Sequence, residues 1–391
     1  MPYPVLRLKP KKEVSLSRRH PWIFSGALSG KPDGLAEGDK VYVADARGYI
    51  LATGHYGTGS IAVRILDFEE TLIDAAFYES KLTKARLLRE VLGLPDADTT
   101  GYRLVHGEGD SLPGLIIDIY AEHAAVQCHS AGTERDFPLI EEALRRIFGS
   151  ELRTITGKRA DGEKTAVNHS EADAPERTEF REYGHRFFSD TAKGQKTGFF
   201  LDQRENRQLI KRHAKGRKVL NAFCYTGGFS VYALAAGARE VHSLDSSKRA
   251  TELAADHVAE NCSDTSRHRI LTRDALKYLG SDSARDEAYD LLILDPPAFA
   301  KHRSARHAAI QAYKRLNARA FSIAAPKSIV FTFSCSQVVT PELFYSTVAA
   351  AAMESGRHIR ILHRLHQPAD HPVSIYHPEG AYLKGLVVFV E

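Results

Sequence analysis

Three observations in the 391-residue sequence predict an α/β chain dominated by a mostly parallel sheet. From about Gly216 onward the residues repeat strand, turn and helix, the alternation that lays helices on both faces of a parallel sheet. Earlier, residues 38–67 alternate apolar and polar side chains between glycine-rich turns, which describes short strands of a small β-barrel. Finally, 391 residues exceed what one ordinary core organises, so two or three domains are expected.

The elements follow in order. Residues 74–92 switch to helical spacing, with Phe77, Leu82, Ala85, Leu88 and Leu92 expected on one face and Gly93 just past the end. Strand-like runs return in "YRLVHGEGDSLPGLIIDIY" and "AAVQCHS", and "FPLIEEALRRIFG" reads as a second amphipathic helix. The segment from Gly157 to Phe180 is polar and aperiodic, so an exposed and mobile connection without a site is expected there. In the C-terminal half, "RKVLNAF", "EVHSLD", "HRILT", "DLLILD" and "IVFTFS" read as strands. Between them, "GGFSVYALAAG", "SKRATELAADHVAEN" and "RHAAIQAYKRLNARAF" read as helices. No internal repeat is visible.

Composition is that of a soluble globular protein, 43% hydrophobic and 26% charged, with no apolar run long enough to span a bilayer. The N-terminal stretch is basic but lacks the apolar segment of a secretory signal. Cys128, Cys224, Cys262 and Cys335 are scattered without a CxxC pair, which suggests neither a zinc site nor a disulfide framework, and no metal is expected. A reducing cytoplasm is the expected setting. Net charge is only +4, but it is unevenly spread. Arg7, Lys9, Lys11, Lys12, Arg18 and Arg19 crowd the first twenty residues, and residues 296–341 carry seven lysines and arginines and no acid. Two such segments fit a phosphate backbone, or are merely solvated faces.

Polar residues collect where the parallel strands end. The first strand runs into "NAFCYTGGFS", where Gly227 and Gly228 open a helix as glycines do in nucleotide-binding turns. The second ends at Asp245, placed to meet ribose hydroxyls, and the third is followed by Asp274, suited to an adenine amino group. The fourth ends in "LDPPAF", Asp295 to Phe299. Either Asp245 or Asp274 alone could simply cap the helix that follows it. Three acids at successive strand ends beside a glycine turn point instead to a ligand with adenine and ribose. No phosphate-binding Lys-Ser/Thr follows the glycines, which argues against an NTPase and suits S-adenosylmethionine, which has no phosphate.

"NAFCYTGGFS", "LDPPAF", "GQKTGFFLDQREN" (Gly194 to Asn206) and "FSCS" together resemble the class I methyltransferases that modify C5 of cytosine in 23S ribosomal RNA. "HPWIFSGAL" and "GYILATGHY" resemble that family's N-terminal RNA-binding PUA barrel, and "GDSLPGLIID" (Gly109 to Asp118) its central domain. The resemblance implies a PUA-like domain over 1–74, a central α+β (β-β-α-β-β) domain over 75–185 and a Rossmann-like methyltransferase domain with a seven-stranded sheet over 186–391. It implies that Asn221, Phe223, Tyr225, Thr226 and Gly227 line S-adenosylmethionine, with Asp245 on its ribose and Asp274 on its adenine. Phe199, Asp202 and Arg204 would close over the cofactor, and Asp295 would sit beside methyl donor and target base. Pro296, Pro297 and Phe299 would receive that base, and Arg303, Arg306 and Lys314 the RNA backbone. The implied partner is large-subunit ribosomal RNA, with a homodimer as an option and no membrane.

Cys335 is where the readings divide. A buried free cysteine is commonly a small core residue, and by itself Cys335 could be only the filler at a strand end. Cytosine C5 methylation, however, needs a thiolate that adds to carbon 6 and makes carbon 5 nucleophilic. On the family reading Cys335 and Asp295 are the catalytic pair, Cys224 is too close to the cofactor turn to serve, and Cys128 and Cys262 lie elsewhere. The "DPPAF" loop lacks the cysteine some cytosine methyltransferases carry there, so the group that removes the C5 proton stays open. Two alternatives stand beside this one: a base amino or ring-nitrogen methyltransferase that needs no thiol, and a non-catalytic RNA-binding scaffold.

Overall fold

Alternation over residues 38–67 becomes three strands of a five-stranded sheet: β1 (Val5–Arg7), β2 (Trp22–Phe24), β3 (Lys40–Ala44), β4 (Ile50–Tyr56) and β5 (Ile61–Asp67), in the order β1-β3-β4-β5-β2. Only β1 and β3 run parallel; the other neighbours are antiparallel. Gly54 sits at a register shift in β4, where a Cβ would lie 2.2 Å from the Arg64 carbonyl oxygen. A side chain there would push the two strands apart. The structure is a computed structural model that describes residues 2–30, 34–159, 177–190, 197–300 and 302–391. It divides into two units: Met1–Gly184 with Phe188–Leu201 and Ala369–Gly380, and His185–Phe187 with Asp202–Pro368 and Ala381–Glu391.

The first unit continues with helix Ala75–Val91, begun by Asp74, whose carboxylate accepts the Phe77 amide at 2.9 Å. Its buried face is Ala75, Phe77, Tyr78, Leu82, Ala85 and Arg89. Leu88 and Leu92, expected on that face, are 36% and 38% exposed. The stripe from Tyr78 advances by four, three and four residues and so arrives at Arg89, a residue that hydrophobic counting passes over. Arg89 is fully buried because it is saturated: it donates to both Asp110 oxygens, to the Arg103 carbonyl at 2.8 Å and to the Asp370 carbonyl at 2.7 Å.

Strands β6 (Gly101–His106), β7 (Leu115–Tyr120), β8 (His123–Cys128) and β9 (Thr154–Arg159) form a second sheet in sequence order, antiparallel except for the β8–β9 pair. Helix Phe137–Phe148 shares one apolar core with it and with helix Ala75–Val91. The segment Gly109 to Asp118 is occupied with holding this unit together. A Cβ on Gly109 would lie 2.0 Å from the Pro372 carbonyl oxygen, and Asp118 accepts from Arg103 at 2.7 and 2.9 Å. Asp136 gathers Lys40 and His55, both at 2.9 Å, and the Tyr78 hydroxyl at 2.8 Å. Burial raises its carboxyl pKa, but His55 and Lys40 together hold it below the usual range. Of the polar connection expected between Gly157 and Phe180, residues 160–176 lie outside the described residues. Its two ends belong to β9 and to β10 (Thr178–Glu182), and β11 (His185–Ser189) follows.

The second unit holds the repeating part of the sequence. Strands β12 (Lys218–Ala222), β13 (Glu240–Asp245), β14 (His268–Thr272), β15 (Leu291–Leu294), β16 (Ser328–Ser334), β17 (Ile359–His366) and β18 (Lys384–Val390) form a seven-stranded sheet. Their order is β14-β13-β12-β15-β16-β18-β17, parallel from β14 to β16 and antiparallel at β18 and β17. Every residue of β16 is buried. Removing rings such as Phe331 and Phe333 from water stabilises this strand by about 1.5–3 kcal/mol each. The order reverses between β12 and β15, and the crevice outside the carboxyl ends at such a reversal is where open α/β sheets bind ligands.

Candidate active site

β12 delivers Asn221 to that crevice and the chain then turns sharply. Phe223 and Tyr225 both adopt left-handed backbone, φ 60° and 46°, a region that few residues bearing side chains occupy. Gly227 has φ 76°, and a Cβ on it would lie 2.7 Å from that of Ala254, so the helix Gly228–Ala235 can start only from glycine. The turn is fastened by Asp245 at the end of β13, whose two oxygens accept the Tyr225 amide at 3.1 Å and the Ser247 amide at 2.9 Å. Ser247 is the residue that caps helix Lys248–Asn261, so Asp245 is not needed as a cap. Asp274 does cap, accepting the Lys277 amide at 2.7 Å, and is exposed.

Beneath the turn runs a buried chain of polar groups. The Asn221 amide donates to Ser230 Oγ at 2.9 Å, which meets Ser243 Oγ at 2.6 Å, which in turn meets His268 Nε2 at 2.7 Å. Burial lowers the His268 pKa to about 4, so the imidazole is neutral. Asn221 Oδ1 is buried and has no partner among the described residues. An acceptor left open at a strand end is the place for a ligand's donor. The Thr226 carbonyl accepts from His257 at 2.8 Å, which fixes the far side of the turn. Cys224 is buried and donates weakly to the Tyr225 carbonyl at 3.6 Å; burial first, and the Asp245 charge second, push its thiol pKa well up.

The residues expected to close over the cofactor fall in different places. Phe199 belongs to the first unit, with its ring edge-on to Phe180 at 5.1 Å. Asp202 and Arg204 belong to the second, both buried. Asp202 accepts the Tyr382 hydroxyl at 2.6 Å, and Arg204 pairs with Glu205 at 3.3 Å.

Asp295 and Cys335 each follow the last residue of neighbouring parallel strands, β15 and β16, which are paired Leu294 to Thr332. The two following loops are tied together where Ser336 Oγ donates to the Ala300 carbonyl at 2.6 Å. Cys335 and Asp295 are half-buried, Pro296 is buried, Pro297 is exposed, and Phe299 packs its ring 4.7 Å from that of Tyr313. Tyr313, on helix Arg306–Ile323, is buried. Its pKa is pushed up to about 12, first by burial and further by Cys335 and Asp295, against opposing effects of Ser334 and the Phe299 backbone. From β18 comes Lys384, 4% exposed, with its ammonium donating to the Ser336 carbonyl at 2.6 Å and the Val339 carbonyl at 2.8 Å. Burial lowers its pKa to about 8, opposed by Cys335.

Arg303 and Arg306 are exposed, whereas Lys314 pairs with Glu354 at 2.7 Å; Lys301 lies outside the described residues. Cys128 is buried in β8, where burial pushes its thiol to about 12, and Cys262 is half-buried and likewise raised by burial. Sequence reading passed over Tyr313, Ser336, Lys384 and Tyr382. One signal was present, a lysine inside the apolar run "YLKGLVVFV", where a charge has no place unless it is matched.

Residues 151–388 match the S-adenosylmethionine-dependent methyltransferase family, and residues 6–68 match the PUA-like domain. The chain belongs to this methyltransferase family. It is 40% identical over 392 residues to Ribosomal RNA large subunit methyltransferase I of Tolumonas auensis, covering 97% of this chain and 98% of that one. The protein of the same name from Aeromonas hydrophila is 38% identical, with 96% and 97% covered. In fold, the chain matches a candidate SAM-dependent methyltransferase from Streptococcus mutans with a TM-score of 0.86 at 22% identity, covering 99% and 100%. A candidate methyltransferase solved with SAH matches equally, TM-score 0.86 at 22% identity, with both chains fully covered. The enzyme therefore uses S-adenosylmethionine, and the strand ends suit it. Asp245 offers a carboxylate for a ribose diol, and the open Asn221 Oδ1 offers an acceptor for an ammonium. Among the described residues no helix is long and apolar enough to cross a membrane.

Proposed function

We propose that this methyltransferase modifies carbon 5 of a cytosine in large-subunit ribosomal RNA, with Cys335 as the nucleophile. The observation that carries the reading is a half-buried thiol at the end of β16, on the strand neighbouring Asp295, with a buried lysine beside it. The relatives' name, Ribosomal RNA large subunit methyltransferase I, supplies the class of substrate. Asn221, Phe223, Tyr225, Thr226, Gly227, Asp245 and Asp274 would hold the cofactor, with Phe199, Asp202 and Arg204 contributing from the segment before β12. Pro296, Pro297 and Phe299 would receive the base, and Arg303, Arg306 and Lys314 the backbone.

When bound, S-adenosylmethionine supplies an electrophilic methyl group. The Cys335 thiolate forms a bond to carbon 6, and the carbon 5–carbon 6 electron pair moves into the ring as an enamine. Carbon 5 uses that pair to take the methyl group, whose bond to the sulfonium breaks with its electron pair staying on sulfur. Loss of the carbon 5 proton to a base restores the double bond, breaks the sulfur–carbon 6 bond and returns the thiolate. Asp295 stands at the neighbouring strand end to hold the base in register during these steps.

The same reading assigns a PUA-like RNA-binding domain to residues 1–74, a central α+β domain to 75–185 and the methyltransferase domain to 186–391. It places the enzyme in the cytoplasm, where its RNA is; association of two copies is read by sedimentation. Amino or ring-nitrogen methylation would use the Asp295–Phe299 loop without a thiol. Cys335→Ser separates the two. It is expected to abolish methyl transfer while leaving S-adenosylhomocysteine affinity and melting temperature near those of the parent. An RNA carrying 5-fluorocytosine at the target should trap the parent and Cys224→Ser covalently but not Cys335→Ser. A Cys335→Ser enzyme that methylates RNA at a comparable rate overturns the cytosine C5 mechanism.

A further inference from the structure

Lys384 is an anomaly in β18. It is an ammonium with 4% exposure, the first residue of a strand of otherwise apolar residues and glycine, and no carboxylate among the described residues lies within ion-pair distance of it. A buried charge is tolerated only where its environment compensates it. Here two donors are taken by the Ser336 and Val339 carbonyls, at 2.6 and 2.8 Å. Those carbonyls bracket one turn, closed by the Val339 amide donating to the Ser336 carbonyl at 3.1 Å. The turn begins at the residue after Cys335. Register explains how a residue so distant in sequence arrives there: β18 runs antiparallel to β16 with Lys384 opposite Ser334, the last residue before the cysteine.

We propose that Lys384 is the positioning residue of Cys335, clamping the turn that presents the thiol and favouring its thiolate with an adjacent positive charge. Among the described residues, Tyr313 from helix Arg306–Ile323 and Lys384 from β18 interact electrostatically with the thiol, and Asp295 follows the end of the neighbouring strand β15. Tyr313 stays neutral, and the Lys384 charge favours the anion. Its own ionisation is balanced, lowered to about 8 by burial and drawn back by Cys335. The inference rests on the Cys335 reading above in its functional meaning, but its physical content is tested without RNA.

The test is iodoacetamide alkylation of Cys335 in the full chain between pH 5.5 and 10, read by peptide mass spectrometry so that the other three cysteines are counted separately. In the parent the half-maximal rate is expected below pH 8.5, the ordinary thiol value. Lys384→Gln keeps a hydrogen-bond donor and removes the charge; its profile should move up by about one pH unit, a loss of about tenfold at pH 7. Lys384→Arg should return the profile to within half a unit of the parent. A parent profile at or above the ordinary thiol value overturns the proposal without any variant. So does a Lys384→Gln profile that superposes on the parent. Failure of the nucleophile reading looks different: Cys335 would be alkylated at low pH as described here, yet Cys335→Ser would still methylate RNA.

Discussion

Asp245→Ala should weaken S-adenosylhomocysteine binding by about 1–3 kcal/mol, roughly 5- to 150-fold in Kd. The magnitude follows from how the carboxylate is used. Each oxygen already accepts one backbone amide, from Tyr225 at 3.1 Å and from Ser247 at 2.9 Å. Each keeps a second acceptor site, which is what two ribose hydroxyls require. Charge-assisted bonds of this kind contribute about 1.5–3 kcal/mol apiece, reduced here because Asp245 is half-buried and water competes for it. The alanine variant also releases the Tyr225 amide, in a residue already held at φ 46°. A melting curve without ligand therefore accompanies the titration, and Asp245→Asn serves as a variant that keeps an acceptor for the turn while losing the charge. Calorimetric titration of the three proteins gives the comparison. Affinity of Asp245→Ala within twofold of the parent, with the melting temperature unchanged, would remove Asp245 from the cofactor site.

RNA affinity should fall linearly on a log–log plot against salt, with each phosphate contact contributing about 0.7 to the slope for single-stranded RNA. Neutralising exposed Arg303 and Arg306 should flatten that slope by about 1.4, and adding Lys314, already paired with Glu354, should change it little; an unaltered slope makes these arginines a solvated face. The acid limb of stability should depend on His123, buried in β8 between the Thr154 and Thr156 hydroxyls at 2.5 and 3.0 Å. Burial lowers its pKa from 6.5 to about 4. The unfolded chain therefore takes up a proton before the folded one does, and stability present above pH 6.5 is lost as pH falls toward 4. His123→Gln should make the drop in urea midpoint between pH 7 and 4.5 shallower, by up to about 3 kcal/mol in stability; parallel curves for the two proteins would refute this role.

The strands of the parallel sheet were readable because being buried on both faces leaves a nearly unbroken apolar run, as in "IVFTFS", and the glycine turn after β12 because few other residues accept its backbone. What sequence could not disclose was pairing at long range. Helix Ala75–Val91 was legible as a helix, yet its buried face was misassigned at Leu88 and Leu92 because Arg89 faces the core. That orientation makes sense only once Asp110 and the Asp370 carbonyl are beside it. The same limit hid Lys384, whose partners lie 48 and 45 residues away across an antiparallel pair. Cys335 was visible as a thiol at a strand end, but whether it is reactive depends on neighbours that arrive from a helix and from the last strand. Asp245 was offered two roles by sequence; the structure gives the capping one to Ser247.

The first unit takes its last piece, Ala369–Gly380, from near the far end of the chain. Asp370 supplies the acceptor that completes Arg89 and also accepts the Arg103 amide at 3.1 Å, while the Pro372 carbonyl fills the space over Gly109. A ribosome making this protein must therefore have passed residue 380 before the earliest-made unit can close around its own arginine. Until then Arg89 has Asp110 but an unfinished socket, so the order of synthesis and the order of completion run in opposite directions. Cutting the chain before residue 369 would remove sequence from the end and stability from the beginning.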